Sequence, residues 1–87
     1  MSLSSHPLAE FWDCYDALPT NIQEQADKQY TLFAFNPYHP SLRFKETGPY
    51  SPVRVSRAYR ALARRRGNDL YWVWIGPHDE YDRILKG

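Results

Sequence analysis

The chain has 87 residues, of which 43% are apolar, 16% aromatic and 24% charged, with a formal net charge of +1. A single core of this size is near the lower limit of independent stability, so two domains are excluded, and this composition also excludes disorder over the whole length. The apolar runs are too short for a membrane span, residues 1–6 lack the basic and apolar parts of a secretory leader, and Cys14 has no second cysteine to pair with. These features predict one cytoplasmic domain over 1–87, with residues 1–6 flexible and no membrane contact.

Pro7 suits a first helical position, with Ser4 or Ser5 as its cap. Leu8, Phe11, Trp12, Tyr15 and Leu18 then recur at helical spacing until Pro19. Thr20 or Asn21 can cap a second helix with an apolar stripe of Ile22, Ala26, Tyr30 and Phe33, stopped by Asn36-Pro37. The short connection predicts an antiparallel helix hairpin. Asp13, Asp16, Glu24 and Asp27 fall off the stripes and are expected to face solvent, while Cys14 lies at the flank of the first helix as a small apolar residue.

Beyond the Pro-rich turn at 36–40 the period becomes alternating. Leu42 and Phe44 mark a first strand closed by Gly48-Pro49, Val53 and Val55 a second, and Tyr59, Ala61 and Ala63 a third. After a turn at 66–69, residues 70–75 form a fourth strand that is apolar on both faces and therefore central, with Trp72 and Trp74 assigned to the core. Gly76-Pro77 ends it, and residues 79–85 can form a short last helix. The prediction is an α+β fold: an N-terminal helix hairpin packed on a four-stranded antiparallel sheet, followed by a short C-terminal helix.

Charge is segregated along the chain. Residues 1–42 carry five acids and one base, residues 43–67 eight bases and one acid, and residues 68–87 four acids and two bases. Seven of the eight bases in the middle block are arginines, whose planar fork pairs bidentately with phosphate. Such a block on an otherwise acidic chain points to a local polyanion site. Arg64, Arg65 and Arg66, beside Gly67-Asn68, read as a solvated hairpin tip, whereas Arg54, Arg57 and Arg60 are open to a functional role.

His6, His39 and His78 are scattered and no cysteine pair exists, so no metal site is predicted. His39, between Tyr38 and Pro40, reads as a turn residue. His78-Asp79-Glu80 resembles the opening of a zinc deaminase motif without the required cysteine pair. The four glycines are isolated, which excludes a Gly-rich phosphate loop, and Cys14 has no basic neighbour to make it a nucleophile. Acid–base and electrostatic chemistry from Arg, His and Tyr is what is left, with no cofactor.

LPTNIQEQADK at 18–28, NPYHPSL at 36–42, FK at 44–45, VRVSRAYRAL at 53–62 and WIGPHDEYDRIL at 74–85 occur in that order. Taken together they resemble the RelE/ParE superfamily of bacterial type II toxins. The resemblance implies a helix hairpin on a four-stranded antiparallel sheet, and an antitoxin that wraps the toxin and silences it. It implies one of two activities. RelE-like members, including the HigB and YoeB branches, cut mRNA in the ribosome, whereas ParE-like members inhibit DNA gyrase without being nucleases.

On the nuclease reading, which the residues favour, the ribose 2′-hydroxyl attacks the adjacent phosphorus, so no metal is required. The resemblance assigns Arg60 to the transition-state phosphoryl oxygens and Arg54 to the nearby phosphate. It assigns His78 to general acid–base work, for which imidazole is suited near neutral pH, and Tyr81 to stacking or to the 2′-hydroxyl. Arg43, Lys45 and Arg57 would position RNA phosphates. The implied partners are a cognate antitoxin, the ribosome and its message. No glutamate lies on the second or third strand, so the Glu–His pair of the YoeB branch is absent, as are the paired lysines of RelE. Structural alternatives stay open: His78 as a helix cap, Tyr81 in the core beside Ile84 and Leu85, and Arg60 in an ion pair with Asp79, Glu80 or Asp82. A gyrase inhibitor, or an inactive toxin fold that only binds its partner, are the alternative functions.

Overall fold

The computed structural model describes residues 3–45 and 48–86. The element order is β1 (Ser4–Pro7), α1 (Ala9–Asp16), α2 (Thr20–Phe35), a 3-10 turn (Pro40–Leu42), β2 (Ser51–Arg54), β3 (Tyr59–Arg66), β4 (Asp69–Pro77) and α3 (His78–Lys86). The four strands form one sheet in the order β1-β4-β3-β2. The α+β class, the helix pair, the count of four strands and the last helix follow the expectation from sequence.

Two strand assignments change. Ser4–Pro7, expected as part of a flexible lead-in and a helix cap, pairs parallel with β4, so the sheet is mixed and not purely antiparallel. Residues 1 and 2 of that lead-in lie outside the described residues. Pro7 is tolerated because β1 is an edge strand, where a missing N–H interrupts no second ladder. The first helix consequently starts at Ala9, with Leu8 at the N-cap and no side-chain cap. The second correction concerns Leu42 and Phe44. Leu42 closes the 3-10 turn, which His39 caps by accepting the Ser41 N–H on Nδ1 at 3.2 Å. Phe44 follows in irregular backbone. Both still serve the core: Leu42 is fully buried, and the Phe44 ring meets Phe33 edge-on at 5.3 Å.

α2 begins after Pro19 without the expected Thr20 or Asn21 side-chain cap and buries Ile22, Ala26 and Phe33. Tyr30, placed on the same stripe from sequence, is half exposed, as is Trp12 of α1. Phe11, Cys14, Tyr15 and Leu18 lean on the core from the α1 side. The expected acids Asp13, Asp16, Glu24 and Asp27 do face solvent. The helices cover one face of the sheet, over Val53, Ala61, Ala63, Trp72 and Ile75.

β4 lies between β1 and β3, as its two apolar faces predicted. Leu62 partners Trp74 while Ala63 partners Trp72, which leaves Val73 as an extra residue in a β-bulge. The bulge splits the two tryptophans, which simple alternation would place on one face. Trp72 is buried in the core against Phe33, with ring centroids 5.5 Å apart. Trp74, assigned to the core from sequence, is instead half-buried on the opposite face, where it lines a hollow with Leu62 and the α3 residue Ile84.

The helix hairpin is tied by polar contacts. Gln23 Nε2 donates to the Tyr15 carbonyl at 2.9 Å, and Tyr15 Oη donates to Asp27 Oδ1 at 2.8 Å. That bond to a carboxylate, then burial, then the charges of Asp27 and Asp16, push the Tyr15 phenol from 10.0 up to about 12. A raised folded pKa means that this link contributes fully below the unfolded value and is lost as pH rises through the folded one. Between pH 10.0 and about 12, the melting temperature of the wild type is expected to fall more steeply than that of Tyr15→Phe. Parallel curves for the two proteins would exclude the link.

Candidate active site

β-pairing brings the predicted arginines together. Arg54 and Arg60 are directly opposite across β2 and β3, and Arg60 faces Gly76 across β3 and β4. Partners in register share a face, here the one away from α1 and α2. Arg60 is half-buried, and its Nη1 donates to the carbonyls of Ser56 at 2.6 Å and Tyr59 at 3.0 Å. These bonds hold the guanidinium against the β2–β3 turn. Among the described residues it makes no ion pair with Asp79, Glu80 or Asp82.

Burial first, and then the positive charge of Arg54, lower the pKa of Arg60. Tyr81 and Asp82 act in the opposite direction and Arg43 adds to the lowering, so all these groups lie within electrostatic reach of one guanidinium. Arg43 reaches it from an unusual backbone position, the left-handed region at φ 48° and ψ 39°, which closes the 3-10 turn. A non-glycine residue is strained there.

The other half of the site comes from α3. β4 runs directly into the helix at His78, whose N–H donates to the Ala58 carbonyl at 2.7 Å. That bond fixes the start of α3 beside the turn on which Arg60 rests. One helical turn along, Asp82 Oδ2 lies 3.2 Å from His78 Nδ1. The Tyr81 ring sits 5.3 Å from the imidazole at a 53° tilt. Tyr81 is half-buried and lies at the cluster, not in the core.

Asp82 was not singled out as a partner for His78 from sequence, although the i,i+4 spacing was there to find. A carboxylate on Nδ1 favours the tautomer with its proton there and leaves Nε2 to accept one. The remaining predicted residues are more peripheral. Arg57 is exposed in the β2–β3 turn, where its carbonyl lies 3.5 Å from Arg60 Nη1. Lys45 is exposed, and its backbone N–H donates to the Pro52 carbonyl at 3.3 Å. No group of three or more His, Cys, Asp or Glu side chains suited to a metal gathers among the described residues. No helix among them is long and apolar enough to cross a membrane.

Residues 20–83 match the ParE-like toxin domain family. The chain belongs to this family, within the RelE/ParE superfamily of type II toxins. YafQ from E. coli strain BL21(DE3) superposes with a TM-score of 0.68 at 10% identity, covering 92% of this chain and 98% of YafQ. A free-state double arginine-to-alanine mutant of E. coli RelE gives 0.67 at 13% identity, over 99% of this chain and 97% of RelE. An archaeal RelE–RelB complex from Pyrococcus horikoshii OT3 gives 0.61 at 14%, over 88% of this chain and 96% of its counterpart. At these identities the likeness is one of fold. No curated protein sequence matches the chain.

Substitutions at two positions probe how this toxin domain holds its site. A Cβ on Gly76 would lie 2.5 Å from Trp74 Cζ2, so the indole covers the strand position facing Arg60. Gly76→Ala is expected to displace that ring, shift the tryptophan emission and cost about 1–3 kcal/mol of stability. Unchanged emission would show that the ring is not seated there. Arg43→Gly removes the left-handed strain, whereas Arg43→Ala keeps it, so chemical denaturation is expected to rank the glycine variant above the alanine variant. The reverse order would mean that Arg43 is unstrained in solution.

Proposed function

We propose that this chain is the toxin of a bacterial type II toxin–antitoxin system and acts as a ribosome-dependent endoribonuclease on mRNA. The observation that carries the reading is the convergence of Arg54, Arg60, His78 and Tyr81 at one end of the sheet. In the proposed reaction, the 2′-oxygen forms a bond to the adjacent phosphorus and the bond from phosphorus to the 5′-oxygen breaks. The products are a 2′,3′-cyclic phosphate and a free 5′-hydroxyl. Arg60 and Arg54 meet the charge that builds on the equatorial oxygens, and burial makes Arg60 stronger in that role than a fully solvated cation. His78, with Nδ1 held by Asp82, exchanges a proton through Nε2 with the 2′-hydroxyl or the leaving 5′-oxygen. Tyr81 stacks on the scissile base or hydrogen-bonds near the ribose. Arg43 touches the flanking phosphate, and Lys45 and Arg57 act further out, on message or ribosomal RNA.

A cognate antitoxin is the second part of the proposal. Similar folds were solved as complexes with RelB from Pyrococcus horikoshii OT3 and from Methanococcus jannaschii. In the present chain, rings stand in solvent on the helix side: Phe35 is 89% exposed, Tyr38 68%, Tyr30 50% and Trp12 47%. Exposed rings at this density suit a partner that wraps the helices. The proposed setting is the bacterial cytoplasm, where ribosome and antitoxin are both found.

The match to a ParE-like domain favours one other reading, a gyrase inhibitor with no chemistry of its own. Primer extension on translated message separates the two, because cuts within codons support the nuclease while intact message with broken DNA supports gyrase. Among folded variants assayed on programmed ribosomes, His78→Ala is expected to slow cutting by about 10²–10⁴-fold and Arg60→Ala by about 10²–10³-fold. Asp82→Asn should fall between His78→Ala and the wild type. Full killing by a folded His78→Ala, Arg60→Ala double mutant would overturn the assignment.

A further inference from the structure

We propose that the site face of the sheet continues beyond Arg60 as a binding track for single-stranded RNA, ending on a platform of Tyr50, Arg64, Tyr71 and His6. The inference rests on the nuclease reading for its choice of ligand and extends it to the opposite end of the sheet. Arg60, Leu62, Arg64 and Arg66 recur at every second position of β3, and the bulge lies in β4, so these four side chains share one face. Arg64 lies about 13 Å from Arg60 at ~3.3 Å per residue, a length that a few extended nucleotides span.

At that distance the strand register assembles a row across the whole sheet. Arg64 partners Tyr71, and Tyr71 partners His6 of the parallel edge strand. The Arg64 guanidinium carbon stands 5.4 Å above the Tyr50 ring on the other side. His6 stacks on Tyr71 at 5.1 Å with the planes 24° apart, and its Nε2 lies 3.0 Å from Asp69 Oδ1. Asp69 is thereby engaged by His6, whereas Arg64 and Arg66 are exposed and make no ion pair among the described residues.

Between this row and α3 lies an open hollow of about 710 Å³, floored by Leu62 and Trp74. Its lining includes Arg64 and Arg66 against a single acid, Glu10. Guanidiniums that make no ion pair among the described residues, interleaved with half-buried rings, are what a single strand needs: cations for the phosphates and apolar planes for the bases. An acidic protein segment would use the cations and leave the rings idle, so RNA is the occupant that engages every feature of the surface.

Fluorescence anisotropy with 2′-O-methyl oligouridylates, which cannot be cut by 2′-hydroxyl attack, tests the track. The wild type is expected to bind an oligomer of about twelve nucleotides more tightly than one of about four. Tyr71→Ala should weaken the longer complex by about tenfold, and Arg64→Gln should reduce its salt slope by about 0.7. Arg64 is exposed, so Arg64→Gln keeps the test sound even if Tyr71→Ala disturbs the sheet. Wild-type affinity in both folded variants, or equal displacement of the RNA by polyglutamate, would overturn the track. Message cutting separates this outcome from the parent reading. A protein that cuts message but binds identically in both variants keeps the nuclease and loses the track. One that binds through Arg64 and Tyr71 yet never cuts keeps the track and loses the nuclease.

Discussion

Arg54 and Arg60 stand opposite each other in the last pair of the β2–β3 ladder, and like charges so placed work against the pairing that holds them. The surroundings relieve the conflict only in part. Arg60 spends one nitrogen on backbone carbonyls of its own turn, and Arg43 is brought to the same place by a backbone conformation that arginine disfavours. Tyr81 and Asp82 moderate the field without closing an ion pair on Arg60. A surface built this way regains free energy when an anion arrives, because the anion relieves repulsion that the fold already carries. On the nuclease reading, the preference for a phosphate is therefore a property of the empty sheet, set before any substrate binds.

The same sheet explains why one arm of the site is helical. β4 is central, and its last residues pass without a loop into α3, so the position of His78 is inherited from the β3–β4 ladder. The hydrogen bond from His78 N–H to the Ala58 carbonyl closes the triangle between the β2–β3 turn, the strand end and the helix. The bulge at Val73 sets the other dimension. By turning Trp74 out of the core it places an indole across Gly76, and any side chain there would dislodge that ring. Packing on the site face and packing in the core thus meet in one irregular residue.

β2, β3, β4 and α3 could be read from the chain because their signals are local: alternation in 53–66, an apolar run in 70–75, and glycine or proline before β2, between β3 and β4, and at the end of β4. β1 could not be, since Ser4–Pro7 has neither alternation nor β-branched residues, and its strand state depends on the free edge of β4. Leu42 and Phe44 misled for the complementary reason. Their spacing matches a strand, but the left-handed turn at Arg43 between them sends both rows of contacts to the core without a ladder. In the site, the placing of Arg60 opposite Arg54 follows from strand pairing, and His78 with Tyr81 from their position after the last strand. Asp82 as the partner of His78 was within reach by helical spacing. Arg64 looked like an ordinary hairpin tip because its neighbours Tyr50, Tyr71 and His6 come from three other segments.

On the nuclease reading, a net charge of +1 looks low for a protein that handles RNA, and the spatial distribution of charge accounts for part of the difference. Asp13, Asp16, Glu24 and Asp27 lie on the exposed sides of α1 and α2, across the sheet from Arg54 and Arg60. Screening limits exposed charges to about 8–10 Å at ordinary ionic strength, so acids behind the sheet subtract little from the field in front of it. The total charge thus understates the attraction that a strand lying along β3 would feel, while the acidic back lowers the affinity for nucleic acid approaching from other directions. On the nuclease reading, that asymmetry favours a molecule that engages RNA through one face, in one orientation, over one that coats RNA indiscriminately.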